Sequence, residues 1–197
     1  MMRKANLKPV RPATAGARAY SVAETLRNGA AVTVRAIRPD DRERLGEAFA
    51  KLEPGSVYTR FFSHRGQPSD KELRAATEVD FESTVALVVT IPDGGGDETI
   101  IGAGRYLLNG PSGTGSGAEV AFTVEEDFQG LGIAGLLLRH LAGIARRQGV
   151  PELTAEVLPN NRGMLAVLAR SGLPMKSATE DGVVHVALSL GGQDASE

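Results

Sequence analysis

Cysteine is absent from the 197-residue sequence, and histidine occurs only three times. The lack of cysteine excludes disulfide bonds, thiolate nucleophiles and cysteine-ligated metals, and the few scattered histidines offer a zinc site little to build on. We therefore expect no metal, and surface or structural roles for the histidines. No apolar run approaches the ~18 residues that a membrane-spanning helix requires, so we expect a cytoplasmic protein without a membrane partner.

The sequence also lacks a large excess of charge of either sign, since its formal net charge is -2. A protein that binds nucleic acid through the phosphates carries a basic field, so nucleic acid is not an expected partner. Apolar residues make up 42% and charged residues 23%, values that are typical of a globular domain. The length suits one such domain, which we expect as a monomer or a homodimer.

Three regions of the chain differ in composition. Residues 1–30 begin with a basic stretch interrupted by prolines, and we expect a flexible tail that ends in a short helix over residues 21–29, capped by Ser21. Residues 31–190 alternate between strand and helix patterns and form the predicted domain. Residues 191–197 are expected to form a disordered tail.

Within the predicted domain, the apolar residues change their period between two, typical of strands, and 3.6, typical of helices. Turn residues and helix caps separate these segments. The predicted strands cover residues 31–37, 84–91, 99–108, 118–124, 152–158 and 183–190. The predicted helices cover residues 42–50, 56–62, 69–78, 133–147 and 161–171. The third begins with a capping box, with Ser69 as N-cap and Glu72 three residues later. The fourth has one apolar face, formed by Ile133, Leu136, Leu137, Leu141 and Ile144. This order of strands and helices predicts an α+β fold, with a mixed central sheet of about six to seven strands flanked by helices.

A loop with two glycines joins the predicted strand 118–124 to the predicted helix 133–147. Glycines let backbone N–H groups approach a phosphate, and the helix N-terminus offers unpaired donors and the positive end of a dipole. The loop lacks the sequences of a Walker motif and of a full dinucleotide-binding motif. It fits either an anion site or a simple tight turn. The loop consists of Gln129, Gly130, Leu131, Gly132, Ile133 and Ala134.

Together with its flanking strand and helix, this loop resembles the Gln/Arg-x-x-Gly-x-Gly/Ala signature of the GNAT acetyltransferases. The later helix and turn around Asn161 and Gly172 are also similar, and the resemblance covers most of the chain. It implies a GNAT fold and a reaction in which acetyl-CoA, the cosubstrate, donates its acetyl group to an amine. The six loop residues are then expected to hold the pyrophosphate. Thr123 and Val124 are expected to pair with the pantetheine arm and the thioester carbonyl, and Asn161 to reach the cofactor.

A general base helps this reaction, because a lysine amine with a pKa near 10.4 is neutral in only about one molecule in 10³ at pH 7. Glu119 matches the position that protein-acetylating members of the family use as base, and we expect it to lie among Val120, Phe122 and other aromatic residues. A salt-bridged or solvent-facing glutamate is the alternative. Many members carry a tyrosine as general acid four residues before the helix-ending glycine, but Leu168 occupies that position here. The general acid therefore stays open.

A second likeness concerns residues 52–62, which are similar to the Leu-x-x-x-Ser-x-Tyr-x-Arg-Phe-Phe segment of bacterial Pat-type protein lysine acetyltransferases. This resemblance implies a protein lysine as acceptor, such as the active-site lysine of acyl-CoA synthetases. It places Tyr58 and Arg60 on the substrate side, whereas we favour core packing for Phe61 and Phe62. Acetylation of a small-molecule amine and non-catalytic sensing of acetyl-CoA remain as alternative functions.

Overall fold

The computed structural model describes residues 16–50, 68–110 and 116–191. Within these residues, eight strands form one sheet that carries helices on both faces. The strands are β1 (Ser21–Thr25), β2 (Ala31–Ala36), β3 (Thr84–Pro92), β4 (Glu98–Leu108), β5 (Ala118–Val124), β6 (Glu152–Val157), β7 (Met175–Glu180) and β8 (Val183–Ser189). The α-helices are α1 (Arg42–Ala50), α2 (Asp70–Thr77), α3 (Ile133–Arg147) and α4 (Arg162–Ala169). The predicted α+β class is confirmed, with more strands than expected.

The strands follow the order β1-β2-β3-β4-β5-β6-β8-β7 across the sheet. The first five form an antiparallel meander, in which each strand pairs with the next along the chain. Strands β5 and β6 are parallel, and α3 connects them. A parallel pair needs a crossover of this kind, because a short hairpin can join only antiparallel strands. The remaining pairs, β6 with β8 and β8 with β7, are antiparallel.

Two glycines of β4 let α3 pack closely against the sheet. A Cβ atom at Gly102 would lie 2.6 Å from Cγ2 of Ile133, and one at Gly104 would lie 3.3 Å from Cδ1 of Leu141. The even-numbered side of β4 therefore faces α3. Since side chains alternate along a strand, the odd-numbered side faces α1 and α2. The predicted apolar face of α3 is confirmed, because each residue assigned to it is buried.

A buried ion-pair network fixes α1 relative to the sheet. The guanidinium of Arg35 in β2 donates two hydrogen bonds of 2.7 Å to Asp41, in the turn that leads into α1. It also contacts Glu98 of β4, and Glu98 in turn accepts a 2.8 Å hydrogen bond from Thr90. Arg35 and Asp41 are only 3% and 0% exposed, so removing one partner would leave a buried charge.

The helix predicted for residues 21–29 is wrong, because Ser21–Thr25 forms β1 and pairs along its whole length with β2. Asn28 and Gly29 lie in the hairpin turn rather than at a helix end, and the N–H of Leu26 donates to the carbonyl oxygen of Ala30 at 2.9 Å. The capping-box pattern of Ser21 is local, whereas pairing with β2 forms a full ladder of main-chain hydrogen bonds and overrides it.

Strand β7 was not among the predicted segments. All six of its residues are exposed, so its sequence shows no buried alternation, and it is attached to the sheet only through β8. By contrast, the helix predicted to begin after Ser69 is confirmed as α2, with the expected capping box between Ser69 and Glu72. The predicted helix over residues 56–62 lies outside the described residues. In the part of the chain that the structure describes, no helix is long and apolar enough to cross a membrane.

Candidate active site

Strand β5 is paired very differently along its two edges. Toward β4, the antiparallel pairing covers the whole strand. Toward β6, the parallel pairing covers only Ala118 with Leu153 and Glu119 with Thr154. Beyond these pairs the strands separate, and we call the space between β6 and residues 120–124 the β5–β6 cleft. An extended molecule can add to such a strand edge through main-chain hydrogen bonds.

The 129–134 loop follows the open end of β5 after a short 3₁₀ helix, Glu126–Phe128. Gly130 and Gly132 have left-handed backbone conformations, with φ of +76° and +93°, which other residues adopt only with strain. Gly132 is the N-cap of α3, and because it has no side chain it cannot cap the N–H groups of the first helical turn. The N–H groups of that turn are therefore available to an anion.

The loop is joined to the cleft at the end of β5. The side-chain amide of Gln129 donates to the carbonyl oxygen of Val124 at 3.5 Å, so the loop is held against the end of β5. Thr123 and Val124 are half-buried and point to opposite faces of the sheet. The structure thus places these residues beside the cleft, next to the N-terminus of α3, on one continuous path along β5.

An apolar groove lies on the face of β5 that is turned away from α3, beneath α1 and α2. It encloses about 450 Å³, part of which is open to solvent. Among the described residues that line it, Arg105 of β4 is the only charged one. We call it the α1–α2 groove, and it is lined by Ile37, Leu45, Phe49, Ala76, Ala86, Leu87, Ala103, Gly104, Arg105, Ala121, Phe122 and Thr123.

Glu119 lies on this same face, at the point where the β5–β6 cleft opens. Arg105 pairs across the strands with Ala121, so Arg105 and Glu119 are diagonal neighbours on the side that faces the groove. Burial lowers the pKa of Arg105 to about 10, although the nearby carboxylate of Glu119 opposes this shift. A half-buried carboxylate in this position can accept a proton from a group that enters through the groove.

The expected surroundings of Glu119 need one correction. Val120 and Phe122 point to the opposite face of the sheet, toward α3, because side chains alternate along the strand. The neighbours of Glu119 on its own face include Arg105 instead. The electrostatic interaction between the carboxylate of Glu119 and the guanidinium of Arg105 agrees in part with the alternative prediction of a salt-bridged glutamate.

The model of the acetyltransferase (GNAT) family matches residues 56–173, which is more than half of the chain. This protein belongs to the GNAT acetyltransferase family. It is an acyltransferase whose cosubstrate is acetyl-CoA, as the resemblance of the 129–134 loop predicts. The parting of β5 and β6 beside a glycine-containing loop is the candidate site for this cosubstrate.

Two relatives and one solved structure are similar to this chain. The acetyltransferase PA5475 of Pseudomonas aeruginosa is 29% identical over 164 residues, which cover 82% of this chain and 86% of the relative. The acetyltransferase Pat of Mycolicibacterium smegmatis is 33% identical over 147 residues, which cover 75% of this chain but only 42% of Pat. The crystal structure of the GNAT domain of S. lividans PAT has a TM-score of 0.76 and 36% identity, covering 86% of this chain and 96% of that chain.

Two residues that the GNAT resemblance singled out lie on α4. Asn161 is exposed and is the N-cap of α4, where its side-chain oxygen accepts a 3.0 Å hydrogen bond from the N–H of Met164. The NH₂ group of its amide and the second lone pair of that oxygen can still take part in the predicted contact with the cofactor. Leu168, at the position of the usual tyrosine, is completely buried and provides no hydroxyl group to protonate a thiolate.

Tyr58 and Arg60, expected on the substrate side, fall outside the described residues, as does His64. His140 is buried in α3, where its ring contacts Tyr20 and Glu24, so its expected structural role is confirmed. Within the described ranges, no three His, Asp or Glu side chains are grouped as a metal site would require.

Sequence reasoning did not single out Arg105. Its local sequence carried a signal, because this arginine stands between Gly104 and Tyr106 in the otherwise uncharged residues 99–108. A charge in such a strand needs a partner or a function, since an isolated charge is costly to bury. The identity of its neighbour, Glu119, depends on the register between β4 and β5 and was not readable from either segment.

Proposed function

We propose that this GNAT enzyme transfers the acetyl group of acetyl-CoA to the ε-amino group of lysines in proteins. The observation that carries this proposal is the position of Glu119, between the opening of the β5–β6 cleft and the α1–α2 groove. Acetyl-CoA would enter on one side of β5 and the amine on the other. Glu119 stands where the two reactants meet.

The chain offers distinct groups to each part of acetyl-CoA. The N–H groups of the 129–134 loop, at the N-terminus of α3, suit the pyrophosphate. The open edge of β5 suits the pantetheine arm, whose amides can form strand-like hydrogen bonds with the main chain at Thr123 and Val124. This arrangement would leave the thioester near the middle of β5, within reach of the groove.

The reaction then needs one proton to leave the amine. The neutral nitrogen attacks the carbonyl carbon, a C–N bond forms, and the C–S bond breaks to release the CoA thiolate. Glu119 accepts the amine proton as general base. Leu168 has no proton to give, but a thiol has a pKa of about 8.5, well below that of an amine, so the thiolate can leave as an anion and take its proton from water.

The α1–α2 groove favours lysine over polycationic small molecules. A lysine side chain has an apolar four-carbon stem, which an apolar wall accommodates while the amine reaches the end of the groove. Polyamines and aminoglycosides carry several charges and would need acidic partners along the path. No carboxylate is present among the described lining residues to pair with these charges, since the one charged residue there is Arg105. The similarity to proteins named Pat agrees with the resemblance of residues 52–62 to Pat-type enzymes, which implies a protein lysine as acceptor.

The test is a transfer assay with labelled acetyl-CoA. A purified acyl-CoA synthetase, a polyamine and an aminoglycoside are offered separately, and the modified protein is mapped by mass spectrometry. We expect label on a lysine of the synthetase, and much less with Glu119→Gln. Preferential labelling of a small amine would overturn the proposed acceptor. Tight binding of acetyl-CoA without transfer to any amine would instead support a sensor.

A further inference from the structure

The turn between β1 and β2 lies against the 129–134 loop, although about 100 residues of sequence separate them. The N–H of Arg27, in this turn, donates to the carbonyl oxygen of Leu131 at 3.4 Å. The turn itself is closed by a 2.9 Å hydrogen bond from the N–H of Leu26 to the carbonyl oxygen of Ala30. The backbone of Arg27 is thus held beside the loop.

The side chain of Arg27 extends over the N-terminus of α3. Its Nε, Cδ and Cγ atoms lie 3.2, 3.6 and 3.7 Å from the position that a Cβ atom of Gly132 would occupy. Gly132 is the N-cap of α3, so the guanidinium lies next to the N–H groups that would receive an anion. Glycine is favoured at this position by its φ of +93°, and a Cβ atom there would also push the arginine aside.

Arg27 differs in its partners from three other arginines of the protein. Arg42, Arg44 and Arg139 each form an ion pair, with Glu78, Asp97 and Glu24 respectively. For Arg27, within the part of the chain that the structure describes, no acidic side chain lies within ion-pair distance, and the residue is exposed. Its charge therefore adds to the positive end of the α3 dipole rather than being neutralised locally.

We propose that the guanidinium of Arg27 binds the pyrophosphate of acetyl-CoA, as a side-chain ligand that the β1–β2 turn adds to the main-chain donors of the 129–134 loop. The proposal rests on the proposed binding of the pyrophosphate at this loop. Arginine suits the task because its planar fork can donate two parallel hydrogen bonds to phosphate oxygens. The turn would then be part of the cosubstrate site, and β1 would anchor it.

The test compares three acetyl donors that differ in their phosphates. Acetyl-CoA has all of them, acetyl-dephospho-CoA lacks the 3′-phosphate, and S-acetylpantetheine has none. For Arg27→Gln, we expect the KM of the first two donors to rise about tenfold, with kcat unchanged and with an unchanged KM for S-acetylpantetheine. Arg27→Lys should give a smaller rise, because it keeps the charge but not the fork.

Lys176→Gln is the matched control, because it removes one positive charge from exposed β7 at the other end of the sheet. It should leave all three KM values unchanged. An equal rise for all three donors with Arg27→Gln would show a structural role and overturn the proposal, and a rise for acetyl-CoA alone would assign Arg27 to the 3′-phosphate instead. If the unmodified enzyme used S-acetylpantetheine as well as acetyl-CoA, the loop assignment itself would fail, whatever the variants did.

Discussion

The two edges of β5 show how one strand serves both stability and function. Its edge toward β4 is paired along its whole length and is backed by α3, which packs on the glycines of β4. Its edge toward β6 is paired at two residues and then opens. The paired edge satisfies the main chain within the protein, whereas the open edge carries the main-chain groups that we propose bind acetyl-CoA. Changes on the two sides should therefore have separable effects.

The largest effect is expected on the open side, at Glu119. Replacement by glutamine keeps the shape of the side chain but removes its basicity, so kcat should fall on the order of 10²- to 10⁴-fold while acetyl-CoA still binds. Steady-state kinetics and calorimetry measure the two quantities. Glu180→Gln, in exposed β7, is the matched control and should be without effect. Near-normal turnover of Glu119→Gln would mean that water or another residue takes the amine proton.

The next effect is expected at Gly102 of β4, behind the paired edge of β5. An alanine Cβ would lie 2.6 Å from Cγ2 of Ile133, a β-branched residue that cannot rotate away easily. Gly102→Ala should therefore lower the free energy of unfolding by about 1–3 kcal/mol, measured by urea denaturation. Gly143→Ala, in the middle of α3 with its nearest contact at 3.7 Å, should instead be neutral or stabilise slightly. Equal behaviour of the two variants would contradict the close packing of α3 on β4.

A third effect should separate cosubstrate binding from stability. Gly132→Ala introduces strain at a φ of +93° and crowds Arg27, so the KM of acetyl-CoA should rise about tenfold. Gly149→Ala is the matched control, because its φ is +76° with no atom within 4 Å of the new Cβ, and it lies beyond the other end of α3. Both variants should lose similar stability, but only Gly132→Ala should raise the KM. A parallel rise in both would assign the effect to strain alone.

The smallest effect concerns His140 of α3, whose ring contacts Glu24 of β1 and the neighbouring Tyr20. Its Nε2 lies 3.0 Å from a carboxylate oxygen of Glu24, and its Nδ1 lies 2.5 Å from the hydroxyl of Tyr20. A neutral ring that donates through Nε2 and accepts through Nδ1 satisfies both contacts. Burial lowers the pKa of His140, against the opposing effect of Glu24, while Arg139 also lowers it.

The sign of the pH dependence follows from this direction. The unfolded chain binds a proton at His140 near pH 6.5, whereas the folded chain does so only at lower pH. This contribution to stability is therefore complete above about pH 6.5 and is lost as the pH falls below it. Urea midpoints measured from pH 8 to 5 should fall less steeply for His140→Gln than for the unmodified protein. The exposed His185 is the control, and His185→Gln should keep the original slope.

Local sequence patterns predicted the elements whose faces are buried. The valine-rich strands, the apolar face of α3 and the capping box at Ser69 are each formed by residues close together in the chain, and each prediction is confirmed. The GNAT family was also predictable, because its loop is one short segment with a recognisable context. Strands β1 and β7 were missed because both are edge strands in which no residue is buried, so neither sequence shows the alternation of apolar and polar residues of a half-buried strand.

What the sequence determined by itself was the strands and helices with buried faces, the family and the nature of the cosubstrate. These depend on residue types within a few positions of each other. Only the tertiary structure decided which distant residues meet. Arg105 lies beside Glu119 across β4 and β5, and the side chain of Arg27 lies over Gly132. Strand register and the hairpin turn set these neighbours. Register is a property of the whole sheet, because a shift by one residue would turn every side chain of a strand to the other face.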